Sequence, residues 1–402
     1  MSKDKNIFIE PWVLEEGWRI EDFAKLKHPA YVISLKKLEE NLRILNQVEK
    51  RTGAHILMAL KGFSMFSTFP LARKYLSGTE ASSVNEARLG FEEFGPDVHV
   101  FSPSYTTENM KEYLKYANHL VFNSLSQWQQ FASFAKTSAR RRKISFGIRV
   151  NLEHSEVETP MYDPSSKDSH FGVKIIDLGA ADLVGLNGLH FHNLCELGAE
   201  ALDRSLKVFE KKFGQYLSQM KWVNFGGGHH ITRADYNLDL LCQLINDFKK
   251  RHPHLEVYLE PGEAIALNAG VLVGQVIDIK KSKTSKDIAV LNISATTHMP
   301  DVLEMPYLPS ILGAKPLSAN STHNYRLVGP SCLTGDVIGE YSFPKELILG
   351  QKIVFLNMAI YTMVKNNTFN GVDLPDIMTL DHKGKLKLIK KFNYLDFKNR
   401  LS

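Results

Sequence analysis

Lys61 ends an apolar run, and its side-chain amine is the first group in the chain that could take part in a reaction. The segment His55-Ile-Leu-Met-Ala-Leu-Lys61 predicts a buried strand with the lysine at its C-terminal end. Parallel barrels keep their reacting groups at that end of the strands. An apolar floor disfavours the charged form of the amine, and a neutral amine can form a Schiff base. Taken alone, the same pattern also fits an ordinary surface lysine.

Two further strand ends carry residues that suit an anion and a ring nitrogen. Gly226, Gly227 and Gly228 follow an apolar run and precede a helical segment, so backbone N–H groups and a helix N-terminus could bind a phosphate. A plain tight turn is the alternative. Glu260 stands before Pro-Gly at the end of another run, where a carboxylate could keep a ring nitrogen protonated. The alternative is a carboxylate that caps the turn.

Histidine and cysteine supply the remaining candidates. His190 and His192 lie on one face by the period of two, yet no carboxylate or cysteine at ligand spacing completes a metal site, so we expect no metal. A flat imidazole stacked on a flat cofactor explains His192, and His190 is interpreted as a satisfied core residue. Cys332 lies between Gly-Pro and Gly-Asp336 turns, which predict a loop position, although a buried inert thiol is the common case.

Alternating strands and helices must position these groups. The helical segments are predicted at 36–50, 64–76, 85–94, 107–116 and 126–136, and residues 150–185 include a long loop with Pro160 and Pro164. Eight apolar runs lie at 55–60, 79–84, 97–101, 119–123, 144–150, 185–192, 221–225 and 255–260. This alternation is typical of a (β/α)8 TIM barrel, and a doubly wound sheet would look similar in its first half.

The last third of the chain has a different texture. Strand-like runs occur at 271–279, 288–293, 325–328, 352–355 and 385–389, without a helical pattern of comparable strength between them. We therefore predict an α/β fold in which a barrel spans residues 30–265, while residues 1–29 and 266–402 form a mostly β domain.

Composition limits the class of protein. The 402 residues with 44% hydrophobic composition suit two globular domains, and a net charge of +5 is mild. The basic run near the C-terminus is interrupted by apolar residues and is interpreted as a solvated face, so we expect no nucleic-acid partner. Three cysteines without paired spacing, and an N-terminus without an apolar segment, lead us to expect a cytoplasmic protein without a membrane partner.

Taken together, these segments resemble the fold type III pyridoxal-phosphate decarboxylases, the ornithine and diaminopimelate decarboxylase group with an alanine-racemase-like barrel and a β domain. The resemblance runs from about Pro29 to Gly371, and it implies pyridoxal 5'-phosphate as cofactor. It implies that Lys61 is the Schiff-base lysine and Cys332 the catalytic thiol. The remaining implied roles are ring stacking by His192, phosphate binding by Gly226, Gly227, Gly228 and Tyr361, a pyridine-nitrogen contact by Glu260, and a substrate-amine contact by Asp336.

Finer details are most similar to the carboxynorspermidine (carboxyspermidine) decarboxylases. The stretches are His192-Asn-Leu-Cys-Glu196, Gly-Gly-Gly-His229-His230 and Cys332-Leu-Thr-Gly-Asp336. Many relatives have a phosphate-binding arginine where this chain has Glu263, which we expect to face a polyamine cation. The resemblance implies decarboxylation of a carboxylated triamine to norspermidine or spermidine by a head-to-tail homodimer with shared active sites. The alternatives are a diaminopimelate or other basic amino-acid decarboxylase and, more remotely, a non-catalytic cofactor-binding regulator.

Overall fold

A computed structural model describes residues 8–157, 162–179 and 183–402 of the chain. The chain divides into two compact units. One consists of Glu39–Ile265, and the other combines the described residues up to Leu38 with Ala266–Ser402. The predicted loop residue Pro160 lies outside the described residues, whereas Pro164 lies within them.

The first unit contains a closed barrel of eight parallel strands, and this confirms the predicted barrel class. Each apolar run of the sequence supplies one strand, and consecutive strands are hydrogen-bonded neighbours until the last pairs with the first. The strands are β2 (His55–Ala59), β3 (Gly78–Ala81), β4 (Val98–Phe101), β5 (His119–Phe122), β6 (Ser145–Arg149), β7 (Gly188–His190), β8 (Trp222–Asn224) and β9 (Glu256–Leu259).

Helices connect most of these strands, as the 3.6-residue periodicity predicts. They are α1 (Leu35–Thr52), α2 (Phe69–Ala72), α3 (Val84–Leu89), α4 (Thr107–Tyr116), α5 (Leu125–Arg142), α6 (Ala199–Phe213), α7 (Leu238–Arg251) and α8 (Glu263–Ala266). The segment predicted at 64–76 contains only a short 3-10 turn and α2, since Pro70 suits a first turn but not a helix interior. Ser83 and Thr106 cap α3 and α4 by accepting the backbone N–H three residues on.

One large indole organises the barrel interior. Trp222 is fully buried and donates from Nε1 to the Ser145 hydroxyl at 2.8 Å. A Cβ atom at Gly147 or Gly188 would approach the Trp222 ring to 2.4 or 2.1 Å. The two neighbouring strands therefore need glycine at these positions, since a larger residue would displace the indole.

The second unit is built around a nine-stranded sheet. Its strands follow the order β12-β14-β13-β11-β10-β1-β16-β17, and β15 also pairs with β10. They are β1 (Ala30–Ser34), β10 (Gly270–Lys280), β11 (Asp287–Leu291), β12 (Lys315–Pro316), β13 (Asn324–Val328), β14 (Val337–Ser342), β15 (Lys352–Phe355), β16 (Asp376–Leu380) and β17 (Leu386–Lys390). Four short helices accompany them: α9 (Ala295–His298), α10 (Asp301–Glu304), α11 (Thr362–Lys365) and α12 (Tyr394–Lys398).

The sheet includes a segment that the sequence-based boundary at residue 30 assigns to the barrel. Strand β1 pairs antiparallel with β10 and parallel with β16, and its five residues are all buried. Strands β14 and β16 were not predicted from the sequence. Both strands are only partly buried and include Gly339, Glu340 and Asp376, so their apolar residues form no continuous run that could be recognised.

Surface features complete the description. The lysines of the C-terminal basic run are all exposed, as expected for a solvated face. Within the described ranges no helix combines the length and apolar character that crossing a bilayer requires. Cys195, Cys242 and Cys332 are all free thiols, and Cys242 is buried.

Candidate active site in the barrel and the cysteine loop of the sheet unit

Lys61 lies two residues beyond β2, at the C-terminal end of the barrel, as the sequence predicts. The apolar floor is present, since Met58, Ala59 and Leu60 are at most 1% exposed. The lysine side chain itself is exposed in the single chain, however, so the expected desolvation by the floor is not observed. Its charge still reaches the neighbouring strand ends, because it lowers the pKa of His192 and opposes the increase in the pKa of Glu80.

The three glycines form a tight loop directly after β8. Gly226 and Gly228 have positive φ angles of 71° and 80°. A Cβ at Gly226, Gly227 or Gly228 would come within 2.4, 2.3 or 2.0 Å of a backbone carbonyl oxygen. Glycine is therefore required on both conformational and steric grounds. The expected helix N-terminus is not adjacent, because α7 begins only at Leu238, so backbone N–H groups rather than a helix dipole characterise this loop.

The stretch His192 to Glu196 supports the glycine loop. The Leu197 N–H donates to the Gly228 carbonyl at 3.0 Å, and the His230 N–H donates to the Leu197 carbonyl at 3.3 Å. The Asn193 amide donates to the Ser205 hydroxyl at 2.7 Å, which fixes the stretch to α6. The unusual residues after His192 thus have a structural role in holding the loop.

Glu260 lies at the end of β9, and its carboxylate contacts one residue of β8 and one of β7. Its Oε1 accepts from the Asn224 amide at 2.6 Å, and its Oε2 lies 3.3 Å from His190 Nε2. Burial alone would raise the pKa of this carboxyl, but His190, Asn224 and Lys61 outweigh that effect and leave the pKa below its usual value. The buried Glu260 is therefore ionised at neutral pH. It does not cap the Pro-Gly turn, and His190 contacts it directly rather than serving as an independent core residue.

His192 is hydrogen-bonded to the glycine loop. Its Nδ1 accepts from the Gly227 N–H at 3.1 Å, and this contact assigns the ring's remaining proton to Nε2. Burial lowers the pKa of His192 well below its usual value, with Lys61 adding to the shift. His190, His192 and Glu260 each offer a ligand atom within 4.8 Å of the others. The sequence does not reveal this group, because Glu260 lies far from the two histidines along the chain.

Glu80 and Arg149 belong to the same strand ends, and sequence reasoning missed both. Glu80 is the penultimate residue of β3 and is 4% exposed, and burial together with the Glu260 charge raises its pKa well above the usual value. Arg149 ends β6, and burial lowers its pKa to about 10. Its guanidinium lies 4.6 Å from the ring centroids of Phe101 and Phe171. A charged residue at the end of an apolar run, the signal used for Lys61, would have identified Arg149, whereas Glu80 lies within its strand and gives no such signal.

Glu263 begins α8 beside the glycine loop and contacts a histidine. Its Oε2 lies 2.5 Å from His230 Nε2, and the imidazole is only 2% exposed. Glu196 completes a group with these two residues, and burial followed by the Glu263 charge raises the pKa of Glu196 to about 7. The expected contact of Glu263 with a polyamine cation stays a prediction, since its observed partner is His230.

The sheet unit presents Cys332 on an exposed turn. The Cys332 N–H donates to Asn370 Oδ1 at 2.8 Å, and Asn370 itself has a left-handed backbone with a φ of 56°. The next residue, Leu333, is 44% exposed. The thiol is thus on a loop with a fixed backbone, as the flanking turns predict, and not in the core.

Asp336 organises that same loop. The carboxylate is 3% exposed and accepts from the Ser294 hydroxyl at 2.8 and 2.9 Å. It also accepts from the backbone N–H groups of Thr296 and Ser331, each at 3.2 Å. Within the single chain, Asp336 therefore ties the cysteine loop to the start of α9, and its predicted contact with a substrate amine remains a prediction.

Tyr361 precedes α11 with a φ of 43° and a ψ of −53°. Such a backbone is uncommon for a residue with a side chain and indicates a position constrained by its surroundings. Its carbonyl accepts from the N–H groups of Val364 and Lys365 at 3.0 and 2.9 Å. Its predicted contact with a phosphate stays a prediction.

The barrel residues fit a phosphorylated aromatic aldehyde. The loop of Gly226, Gly227 and Gly228 has no Cβ atoms, so its backbone can approach a phosphate closely. The ionised, buried carboxylate of Glu260 suits a protonated ring nitrogen. The exposed amine of Lys61 is available to a carbonyl. These complementary groups all lie at the C-terminal ends of strands in one barrel.

The chain belongs to the pyridoxal-dependent decarboxylases. The family model described as "pyridoxal-dependent decarboxylase, C-terminal sheet domain" matches residues 30–359. The protein is therefore a decarboxylase that uses pyridoxal phosphate, and the family resemblance of the sequence is confirmed.

Individual relatives narrow the similarity. The chain is 41% identical over 388 residues to a carboxynorspermidine/carboxyspermidine decarboxylase of Campylobacter jejuni, covering 94% of this chain and 99% of the relative. It is also 41% identical over 378 residues to a carboxyaminopropylagmatine decarboxylase of Synechocystis, covering 94% and 96%. A crystal structure of the Campylobacter jejuni carboxynorspermidine decarboxylase with norspermidine superposes with a TM-score of 0.86 at 40% identity, covering 93% of this chain and 100% of the other.

Proposed function

We propose that this chain decarboxylates carboxynorspermidine or carboxyspermidine and releases norspermidine or spermidine in polyamine biosynthesis. The observation that carries the proposal is the 41% identity over nearly the full length to the Campylobacter jejuni enzyme. The stretches after His192 and Cys332 support it, because they distinguish this sequence from the diaminopimelate and ornithine decarboxylases.

The barrel residues bind and tune the cofactor in this proposal. Bound pyridoxal phosphate supplies an electron sink for the electron pair left when carbon dioxide departs. Glu260 keeps the ring nitrogen protonated, since its own pKa is held below the usual value by His190 and Asn224. Lys61 provides the amine that holds the aldehyde carbon. Gly226, Gly227 and Gly228 would hold the phosphate by close backbone approach, with the Gly228 N–H as donor, since the N–H groups of Gly226 and Gly227 donate to Asn224 Oδ1 and His192 Nδ1.

Three other side chains complete the proposed site. His192 presents its ring to the cofactor, because its Nδ1 is already fixed by the Gly227 N–H. Tyr361 donates its hydroxyl to the phosphate. Cys332 returns a proton to the α-carbon from its thiol, and Asn370 keeps its backbone in place.

Two carboxylates are assigned to the cations of the substrate. Asp336 and Glu263 each carry a charge that an ammonium group can pair with, and a buried ammonium without a partner would be costly. Glu263 is 17% exposed at its side chain, whereas Asp336 is 3% exposed within one chain. Asp336 would therefore need the loop from Gly329 to open before it could contact a substrate amine.

We infer a head-to-tail homodimer in the cytoplasm, in which the cysteine loop of one copy completes the barrel site of the other. The exposure of both Cys332 and Leu333 supports this inference. Mixing the Lys61→Ala and Cys332→Ala variants, each impaired at its own residue, tests it, because each mixed dimer regains one intact site. Random exchange should restore about a quarter of wild-type turnover, and no recovery after demonstrated subunit exchange would contradict shared sites.

Carboxyaminopropylagmatine is the second candidate substrate, because the Synechocystis relative is equally similar at 41% identity. Both candidate substrate types carry a carboxylated carbon at one end of a long cationic chain. The end remote from that carbon must therefore discriminate between them.

Carbon dioxide release and amine product analysis decide between the substrates. The holoenzyme is assayed with carboxynorspermidine, carboxyspermidine, carboxyaminopropylagmatine, diaminopimelate, ornithine and arginine. We expect the highest kcat/KM with the first two. A preference for carboxyaminopropylagmatine would support the second candidate, and a preference for a simple amino acid would contradict both. A loaded holoenzyme without turnover on any of them would favour a cofactor-binding regulator.

A further inference from the structure

A second group of ligand-type side chains lies at the N-terminal end of the barrel, opposite to Lys61. His99 in β4 and His119 in β5 are Cα partners in the register of two neighbouring parallel strands. Asp97 precedes His99 by two residues and so lies on the same side of its strand by the period of two. We call Asp97, His99 and His119 the barrel-floor cluster.

The barrel-floor cluster has nearly the spacing of a metal site. Asp97 Oδ1 lies 3.7 Å from His99 Nε2, and one ligand atom of each residue lies within 4.8 Å of those of the other two. Ligands about 2.0–2.2 Å from a tetrahedral zinc ion lie ~3.4 Å apart. The imidazoles are stacked with centroids 3.9 Å apart, so rotation of one ring and a shift of about 1 Å would direct all three atoms at one point.

The imidazoles of this cluster have unused polar atoms. His99 is 1% exposed, and neither of its ring nitrogens has a hydrogen-bond partner among the described residues. The same holds for His119 Nδ1. A buried nitrogen without a partner is unfavourable, and coordination of an ion would relieve this. The nearby His55 and Glu256 already have hydrogen-bond partners. His55 contacts the Ser77 hydroxyl, and Glu256 accepts from the Tyr258 hydroxyl.

The surroundings suit a bound cation with access from one side. The Trp222 ring lies 5.3 Å from His119, and the Tyr258 ring lies 4.6 Å from His99, so aromatic walls exclude water on the inner side. Asp97 has a side chain that is 43% exposed and gives an ion a path from solvent.

We propose that Asp97, His99 and His119 bind a divalent transition-metal ion, of which zinc fits best, with a water molecule as fourth ligand. Two imidazole nitrogens and a carboxylate oxygen are a donor set that suits zinc at tetrahedral geometry. The ion would link β4 to β5 at the end of the barrel remote from the decarboxylation site. This site is independent of the substrate assignment above.

Metal binding to the cofactor-loaded protein tests the proposal. The tag-free protein is dialysed against a chelator and then titrated with zinc by calorimetry, with bound metal measured by elemental analysis. Cobalt(II) serves as a visible probe of tetrahedral coordination. We expect one zinc ion per chain with micromolar or tighter affinity, and a rise in Tm with zinc concentration.

Substitutions locate the site. Asp97→Asn keeps the size of a half-exposed side chain and removes its charge, and His119→Asn removes one nitrogen ligand; both should weaken zinc binding at least tenfold. His254→Gln is the matched control, because His254 is an exposed histidine just before β9 and should leave binding unchanged. Absence of zinc binding by the wild type would overturn the proposal. Wild-type zinc affinity in both Asp97→Asn and His119→Asn would overturn it as well. Binding lost equally in His254→Gln would also overturn it.

Discussion

Replacing Glu260 by glutamine is the sharpest test of the barrel site, because it removes one charge with almost no change in shape. Glutamine Oε1 can still accept the hydrogen bond that Asn224 donates at 2.6 Å. Its amide group would replace Oε2, which lies 3.3 Å from His190 Nε2, and can donate to that nitrogen once the neutral imidazole carries its proton on Nδ1. We therefore expect the free energy of unfolding to change by about 1 kcal/mol or less.

The catalytic effect should be much larger than the structural one. A preorganised charge in a dry site contributes about 10²–10³ to kcat, which corresponds to about 3–4 kcal/mol. Glutamine cannot hold the ring nitrogen protonated, so the electron sink weakens while the cofactor remains bound. A second consequence concerns Glu80, whose pKa the Glu260 charge helps to raise, and that pKa should fall in the variant.

The assay combines kcat from carbon dioxide release with cofactor content from absorbance and stability from thermal unfolding. Glu256→Gln is the control, since Glu256 lies on the same strand at its exposed opposite end and should keep wild-type turnover. A Glu260→Gln variant with full cofactor loading and a kcat within threefold of wild type would refute the role of Glu260. Loss of the fold would instead refute the structural reasoning.

Three other predictions concern separate parts of the chain. Cys332→Ala should reduce turnover or alter the product with an unchanged Tm, because the thiol is exposed; unchanged product and rate would contradict its role as proton donor. Gly228→Ala should cost about 2–4 kcal/mol of unfolding free energy and release cofactor, since its Cβ would meet the Leu194 carbonyl oxygen at 2.0 Å. The control Gly350→Ala should cost only about 1 kcal/mol, because Gly350 has a similar φ but open space around its Cβ position. Burial lowers the pKa of His298 to about 4, below the unfolded value of 6.5, so its contribution to stability is lost as the pH falls from 6.5 towards 4. The loss should reach roughly 3 kcal/mol by denaturant titration, and His298→Gln should flatten the pH dependence or the explanation fails.

The local pattern of apolar residues was sufficient to predict the barrel strands and their order. Each run of apolar residues became one parallel strand because a strand covered by helices is buried on both faces and needs a continuous apolar sequence. The positions of Lys61, Gly226 and Glu260 follow from the same argument, since a residue after such a run lies at the C-terminal end of a strand. The family assignment rested on the order of these motifs and is confirmed.

Local pattern was insufficient where a contact joins distant residues. Strand β1 pairs with β10 and β16, more than 200 residues away in sequence, and its apolar run alone could not distinguish a barrel strand from a sheet strand. Strands β14 and β16 are only half buried, and their mixed composition hides them from a search for apolar runs. Pairing partners decide such segments, and pairing is a property of the whole sheet.

The sequence by itself determined which residue types stand at the strand ends, because burial of a strand dictates apolar residues and leaves the polar ones at its termini. The tertiary structure alone decided what those residues contact. Closure of the barrel brings His190 within 3.3 Å of Glu260, and the turn into α8 places Glu263 against His230. Electrostatic interactions depend on distance through space, so the ionisation of Glu260 and Glu80 could be inferred only after the strands were assembled.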